Sequence, residues 1–273
     1  MKDLLRRTGT GILLVVLFAG SILAGPWPFL VMILLVFLLG HRELLNLYVN
    51  WNTSPGILLS VSGVLLILVI FTGLMFRVSP WWLILPLLPW TAGALIPGIR
   101  GLSSSGKENW AAARLTLFWL SLPLASFYAL GWAQGDGYSP VLPLSVIALV
   151  WLFDTFSYLT GSLLGRHQMT PRLSPGKTWE GTIGGVLLTL ACGWTVYRIT
   201  ETYSLTIWLV VSVMISVLGL TGDLFESGLK RKKKVKDMGS LLPGHGGIMD
   251  RFDSLLLVAP ALLLLYVIIN LFT

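Results

Sequence analysis

The 273-residue chain is 55% hydrophobic and only 11% charged, with a mean hydropathy of +0.82, whereas about a quarter of the residues in an average soluble domain are charged; this excludes a water-soluble globular surface. Its net charge of +7 is concentrated, with six basic residues between Lys230 and Lys236, so it describes one segment offered to an anionic partner rather than a basic protein. The single cysteine, Cys192, excludes an intrachain disulfide framework and any CxxC metal or redox motif, and is read as packing.

A membrane-spanning helix needs about 20 mostly apolar residues. Nine segments qualify in chain order, at approximately 9–25, 26–40, 55–75, 79–98, 110–131, 141–164, 180–199, 204–228 and 253–272. Lys2, Arg6 and Arg7 precede the first run, but Ala24-Gly25 leads directly into another hydrophobic segment. The first run is therefore read as a retained helix rather than a cleaved signal. Gly25-Pro26 alone separates the first two segments, so a re-entrant hairpin over residues 9–40 is the alternative to two full spans. The 12 Trp fit this picture, since indole rings gather at the headgroup level.

Orientation follows from the distribution of basic residues, which favour cytoplasmic loops. With nine spans and a cytoplasmic N-terminus, one side collects Lys2, Arg6, Arg7, Arg42, Arg100, Lys107, Arg114, Arg166, Arg172, Lys177 and the seven basic residues from Lys230 to Arg251, while the other holds only Arg77 and Arg198. The expected fold is an all-α polytopic transmembrane bundle. Residues 1–140 form about five helices, and residues 141–273 a catalytic region of about four helices with two cytoplasmic loops. No soluble domain and no internal repeat are read.

Most acidic residues fall in the connecting loops. Asp154, however, lies inside the sixth apolar segment, and Asp223 and Glu226 near the cytoplasmic end of the eighth. A carboxylate at membrane depth costs about 2.5–3.5 kcal/mol and usually marks function. Asp223 and Glu226 are spaced i, i+3 and share a helix face; Asp250 and Asp253 repeat that spacing at the start of the ninth helix. Hard oxygen donors, without a cysteine cluster and with few histidines, select Mg²⁺ over zinc. The plainer alternative is that these acids pair with loop lysines.

Two loops carry phosphate-binding features. The first, residues 165–181, places Arg166, Arg172, Ser174, Lys177 and Thr178 just before the seventh helix. It is not a P-loop, because Pro171 stands where that motif requires glycine and apolar helices flank it. Lys177 and the amides of a helix N-terminus nevertheless suit an anion; ordinary capping by Thr178 and Glu180 is the alternative. The second, residues 227–253, joins the basic run to Pro243-Gly244-His245-Gly246-Gly247 and then Asp250-Arg251-Phe252-Asp253. Cations for phosphates, glycines for close backbone approach and carboxylates for metal are the parts that stabilise a transferring phosphoryl group.

At these residues the chain resembles the phosphatidate cytidylyltransferases, also called CDP-diacylglycerol synthases. Ser227, Lys230, Arg231, Lys236, Asp237, Gly239, Leu242, Pro243, His245, Gly246, Gly247, Asp250, Arg251 and Asp253 follow that family's signature without a gap. The family's earlier pattern is matched by Asp154, Tyr158, Gly161, Gly165, Ser174, Pro175, Lys177, Thr178, Glu180 and Gly181. Two departures are Ser157, where the family usually has Ala, and Gly176, where it often has Lys; these bear on phosphate contacts and not on the reaction class. The resemblance is specific over the C-terminal half.

The resemblance implies in-line attack of a phosphatidate oxygen on the α-phosphorus of CTP, with pyrophosphate leaving and Mg²⁺, with or without a second cation, balancing charge. It implies Asp223 and Asp250 as metal ligands, with Asp154 or Glu226 completing the set. Lys177, Lys230, Arg231 and Lys236 would neutralise phosphates, and His245 to Gly247 would shape the nucleotide pocket. Ser174, Thr178, Ser227, Asp237, Arg251 and Asp253 complete the expected substrate contacts. The expected partners are CTP, phosphatidic acid and membrane lipid, with no nucleic acid and a homodimer left open. The expected location is the cell inner (cytoplasmic) membrane, multi-pass, with the active site facing the cytoplasm. An ion or solute transporter also places acids at membrane depth, but its sites usually lie near the midplane, often between repeats. A lipid-binding scaffold would leave the His-Gly-Gly run and the paired acids unexplained, and the signature of the CDP-alcohol phosphotransferases is absent.

Overall fold

The computed structural model describes residues 2–48, 54–75, 115–134, 137–241 and 246–272. Helices dominate, in the order α1 (Lys2–Leu23), α2 (Pro26–Tyr48), α3 (Ser54–Met75), a π-helical stretch (Leu115–Ser121) continuing as α4 (Leu122–Ala129) and a 3₁₀ turn (Leu130–Trp132), then α5 (Val141–Leu164), α6 (Trp179–Thr200), α7 (Leu205–Lys232) and α8 (Met249–Phe272). Five described helices carry stretches long and apolar enough to cross a membrane: Pro26–Leu47, Val141–Leu164, Trp179–Thr200, Leu205–Lys232 and Met249–Ile269. Gly9–Leu23 and Val61–Met75 are shorter apolar stretches. The protein is therefore a multi-pass membrane protein. The expected span 79–98 lies outside the described residues, and 110–131 is described only from Leu115.

Several helices run further than hydropathy indicates, α1 among them, since it begins at Lys2 rather than residue 9. α2 continues to Tyr48, past the expected end at residue 40, and so takes up His41, Arg42 and Glu43. α7 continues to Lys232, so Ser227, Lys230 and Arg231 are helical rather than in a loop. Cations in a last turn lie favourably against the negative end of the helix dipole, which lets polar sequence extend an apolar helix. α8 begins at Met249 and holds Asp250 and Asp253 in its first turns. The loop 165–181 also differs from expectation, since it folds into an antiparallel hairpin of β1 (Gln168–Thr170) and β2 (Ser174–Thr178). Pro171 fixes the φ that the turn after Thr170 needs, and the Leu173 amide donates back to the Thr170 carbonyl at 3.2 Å.

The chain divides into two compact units, Met1–Ser139 with Asp237–Arg251, and Pro140–Lys236 with Phe252–Thr273. In the first, Phe18, Phe29 and Phe127 form a buried aromatic cluster, with ring centroids 5.5–6.5 Å apart. The α1–α2 connection turns at Gly25, whose φ of 117° requires glycine. Tyr138 and Tyr128 donate to the Ile22 and Pro26 carbonyls flanking that turn, at 2.7 and 3.3 Å.

In the second unit, α5 and α6 approach through glycines. A Cβ on Gly181 would lie 2.7 Å from the Ser157 carbonyl oxygen and 2.9 Å from the Gly161 Cα. On Gly185 it would meet the Ser157 hydroxyl. Ser157 thus faces α6, and Gly176 has open space around it. The other face of α6 exposes Ile183, Leu187, Trp194 and Ile199, as a lipid-facing helix should. We expect Gly181→Ala, which presses a methyl on rigid backbone, to cost about 1–3 kcal/mol, whereas Gly176→Ala should leave stability unchanged. Thermal unfolding in detergent separates the two, and equal midpoints would contradict the packing described.

Candidate functional site

The functional side chains of the second unit are carried by the hairpin and by α5, α7 and α8. Thr178 is the N-cap of α6, its Oγ1 accepting from the Gly181 amide at 3.1 Å. Glu180 does not join it in the capping arrangement that is the alternative reading of this segment. Its Oε2 accepts from the Arg166 and His167 amides at 3.1 and 3.2 Å while Oε1 pairs with His167 Nδ1, stapling the start of the hairpin to the first turn of α6. So anchored, β2 presents Lys177, whose Nζ lies 2.5 Å from Asp223 Oδ2 on α7. The other oxygen of Asp223 accepts from the Ser227 hydroxyl one turn on, at 3.3 Å.

Further along α7, Glu226 is fully buried and accepts from Lys230 at 3.3 Å. The plain expectation for Glu226, pairing with a lysine, is therefore observed, although that lysine is in the same helix. Arg231 Nε donates to the Leu173 carbonyl in the hairpin turn and Nη1 to the Val235 carbonyl, both at 3.3 Å. Asp154, from the middle of α5, accepts from the Ser254 hydroxyl at 3.4 Å. Asp253 is 9% exposed and accepts from the Ser254 amide at 2.8 Å. Four carboxylates and the two ammonium groups of Lys177 and Lys230 are thus gathered in this unit, with Ser227 among them. Ser174 is half-buried, while Arg166, Arg172 and Lys236 are exposed.

The first unit holds the rest of the second motif. Gly246 has φ 81°, a left-handed conformation that glycine adopts without strain. Asp250 Oδ2 accepts from both the Gly247 and Met238 amides, at 2.9 and 3.0 Å, tying Met238 and Gly247 to the first turn of α8. Asp237 and Arg251 are exposed, and His245, with Pro243 and Gly244, lies outside the described residues. Sequence reasoning missed Glu43 here. Its side chain is 3% exposed, and its two oxygens accept from the Ile248 and Met249 amides, each at 3.0 Å. The available signal was an acid shortly beyond an apolar run, which hydropathy assigned to a loop.

Among the described residues no three His, Cys, Asp or Glu side chains converge with metal-ligand spacing. The all-carboxylate chemistry of Asp223, Glu226, Asp154 and Asp253 still suits a hard cation. Mg²⁺ is commonly held by one or two carboxylates together with substrate phosphates rather than by a complete protein cage.

Fold and side-chain chemistry define a multi-pass helical membrane protein with buried and half-buried acid–lysine pairs, the arrangement that marks function in such proteins. A model of the cytidylyltransferase family matches residues 5–269, and the chain belongs to that family; it is a nucleotidyltransferase. It is 31% identical over 264 residues to the phosphatidate cytidylyltransferase of Staphylococcus aureus (strain COL), covering 96% of this chain and 98% of the relative. It is 33% identical over 267 residues to that of Staphylococcus haemolyticus (strain JCSC1435), with the same coverage.

The two ion pairs should differ in their effect on stability. Lys230→Met removes the ammonium that faces the fully buried Glu226 carboxylate and should cost about 3–5 kcal/mol. Lys177→Met breaks a pair whose side chains are 22% and 27% exposed and should cost about 1 kcal/mol or less. Comparable shifts in detergent unfolding midpoint would contradict this ranking.

Proposed function

We propose that the chain transfers CMP from CTP to phosphatidic acid, giving CDP-diacylglycerol and pyrophosphate as a step of phospholipid biosynthesis. The observation that carries this reading is the ungapped run from Ser227 to Asp253, in a chain whose relatives named phosphatidate cytidylyltransferase align over 96% of its length.

A phosphate oxygen of phosphatidic acid attacks the α-phosphorus of CTP, the new P–O bond forming as the bond to the β-phosphate bridging oxygen breaks. No strong general base is required, because a phosphate monoester with a second pKa near 6 is already largely ionised at pH 7. Positioning and electrostatics carry the catalysis. Lys177, Lys230, Arg231 and Lys236 neutralise phosphate charge, Ser174, Thr178, Ser227, Asp237, Arg251 and Asp253 contact substrate, and His245 to Gly247 shape the nucleotide pocket. The acid–lysine pairs of α7 support this role, since such a pair holds its two charges ready for an anion and a cation. Mg²⁺, alone or with a second cation, would supply Lewis-acid stabilisation of the triphosphate. Asp223 and Asp250 would hold it, with Asp154 or Glu226 directly or through water, an assignment that rests on the family motif and on the carboxylate chemistry. Membrane lipid and a second copy of the chain are the further partners in this reading.

The protein sits in the cytoplasmic membrane with its N-terminus and both motifs facing the cytoplasm, as the 17-to-2 division of basic residues supports. CTP then reaches the reacting atoms from water while the acyl chains stay in lipid.

Purified protein in detergent should release pyrophosphate from CTP only with phosphatidic acid and Mg²⁺, should be silenced by a chelator, and should ignore ATP. Asp223→Asn and Asp250→Asn should each lower turnover at least about 100-fold; persistent turnover in either would remove that residue from the metal set, and no release with any lipid would overturn the function. For orientation, a Cys192→Ala chain carrying Ser240→Cys should react with an impermeant maleimide only from the cytoplasmic face. Labelling from outside intact cells would invert the topology.

A further inference from the structure

Glu43 lies on α2, 184 residues before the second motif begins at Ser227, yet both of its carboxylate oxygens are engaged by that motif. Its oxygens take the Ile248 and Met249 amides, one each. These amides stand at the N-terminus of α8, where backbone N–H groups lack intrahelical acceptors and the helix dipole favours negative charge. Two glycines of the motif make room for the same carboxylate. A Cβ on Gly239 would lie 2.4 Å from Glu43 Oε1, and one on Gly247 would lie 2.5 Å from Oε2. Gly40, one turn earlier on α2, likewise faces Met249, where a Cβ would stand 3.1 Å from the sulfur. Gly247, which the sequence suggests serves ligand approach, and Gly239 here admit a protein carboxylate.

Asp250 is the next residue after the second of these pinned amides, and its own Oδ2 holds the Gly247 and Met238 amides. Glu43 fixes the turn from outside and Asp250 fixes it from within. We infer that Glu43 is a positioning residue for Asp250: an acid from the second helix that clamps the glycine turn and the first amides of α8, and so sets where Asp250 stands for the reaction. This rests on the reading of Asp250 as a metal ligand, which Asp250→Asn tests separately.

The test uses the full chain in detergent, with hydrogen exchange of the peptide covering 246–252 and steady-state kinetics measured together. Glu43→Gln keeps the size but replaces one acceptor with an N–H donor. It should speed exchange at this peptide, leave α7 at the parent rate and lower kcat by on the order of tenfold or more, since a misplacement near 1 Å can cost that much. The KM for CTP should stay within about threefold, because ground-state binding is not what is lost. Gly239→Ala should lower kcat by crowding the same carboxylate, and combined with Glu43→Ala it should add little further loss, the non-additivity expected of groups in contact. If Glu43→Gln does not accumulate, Glu43→Asp, with the charge on a shorter arm, is read in the same way and should fall between Gln and parent. Faster exchange with kcat per folded molecule unchanged would make the clamp purely structural and overturn the inference. So would unchanged exchange, or losses that simply multiply in the double variant. Loss of activity in Asp250→Asn with parent-like turnover in the Glu43 variants would overturn this inference while leaving the function intact.

Discussion

Lipid offers no hydrogen bonds, so a carboxylate on a membrane helix must find its partners inside the protein. Four of the described acids meet that constraint in three ways. Glu226 takes the ammonium of Lys230, one turn away in the same helix. Asp223 takes Lys177 from a β-hairpin, together with a serine of its own helix. Glu43 and Asp250 take backbone amides around the start of α8. Much of the irregular structure, from the hairpin to the glycine turn, brings donors to these oxygens.

The hairpin illustrates how local chemistry and packing cooperate. Glycines along α5 and α6 let the two helices approach closely, and that approach fixes the ends between which the hairpin must run. Glu180 then holds the Arg166 and His167 amides, and Arg231 reaches from α7 to the hairpin turn. Lys177 is therefore carried on a short, braced element, which fixes where its ammonium meets Asp223.

Membership of the cytidylyltransferase family explains why opposite charges gather here without cancelling their usefulness. Phosphoryl and nucleotidyl transfer ask little covalent chemistry of the protein and much electrostatics. An ion pair satisfied within the protein costs less to maintain than isolated buried charges.

The sequence by itself determined the membrane setting, most of the helices, the acids at membrane depth and the family, because hydropathy acts over about 20 contiguous residues and the motif from Ser227 to Asp253 is contiguous too. It located the ends of α2 and α7 too early, because hydropathy does not register that polar residues can continue a helix whose apolar stretch has ended. It left the hairpin unrecognised, because β pairing depends on a partner strand and not on composition alone. Only the tertiary structure decided that Lys177 meets Asp223, that Ser157 faces α6, and that Glu43 closes on the Ile248 and Met249 amides. These contacts join residues separated by 24 to about 200 positions, and no local pattern encodes a contact whose partner is chosen by how helices pack.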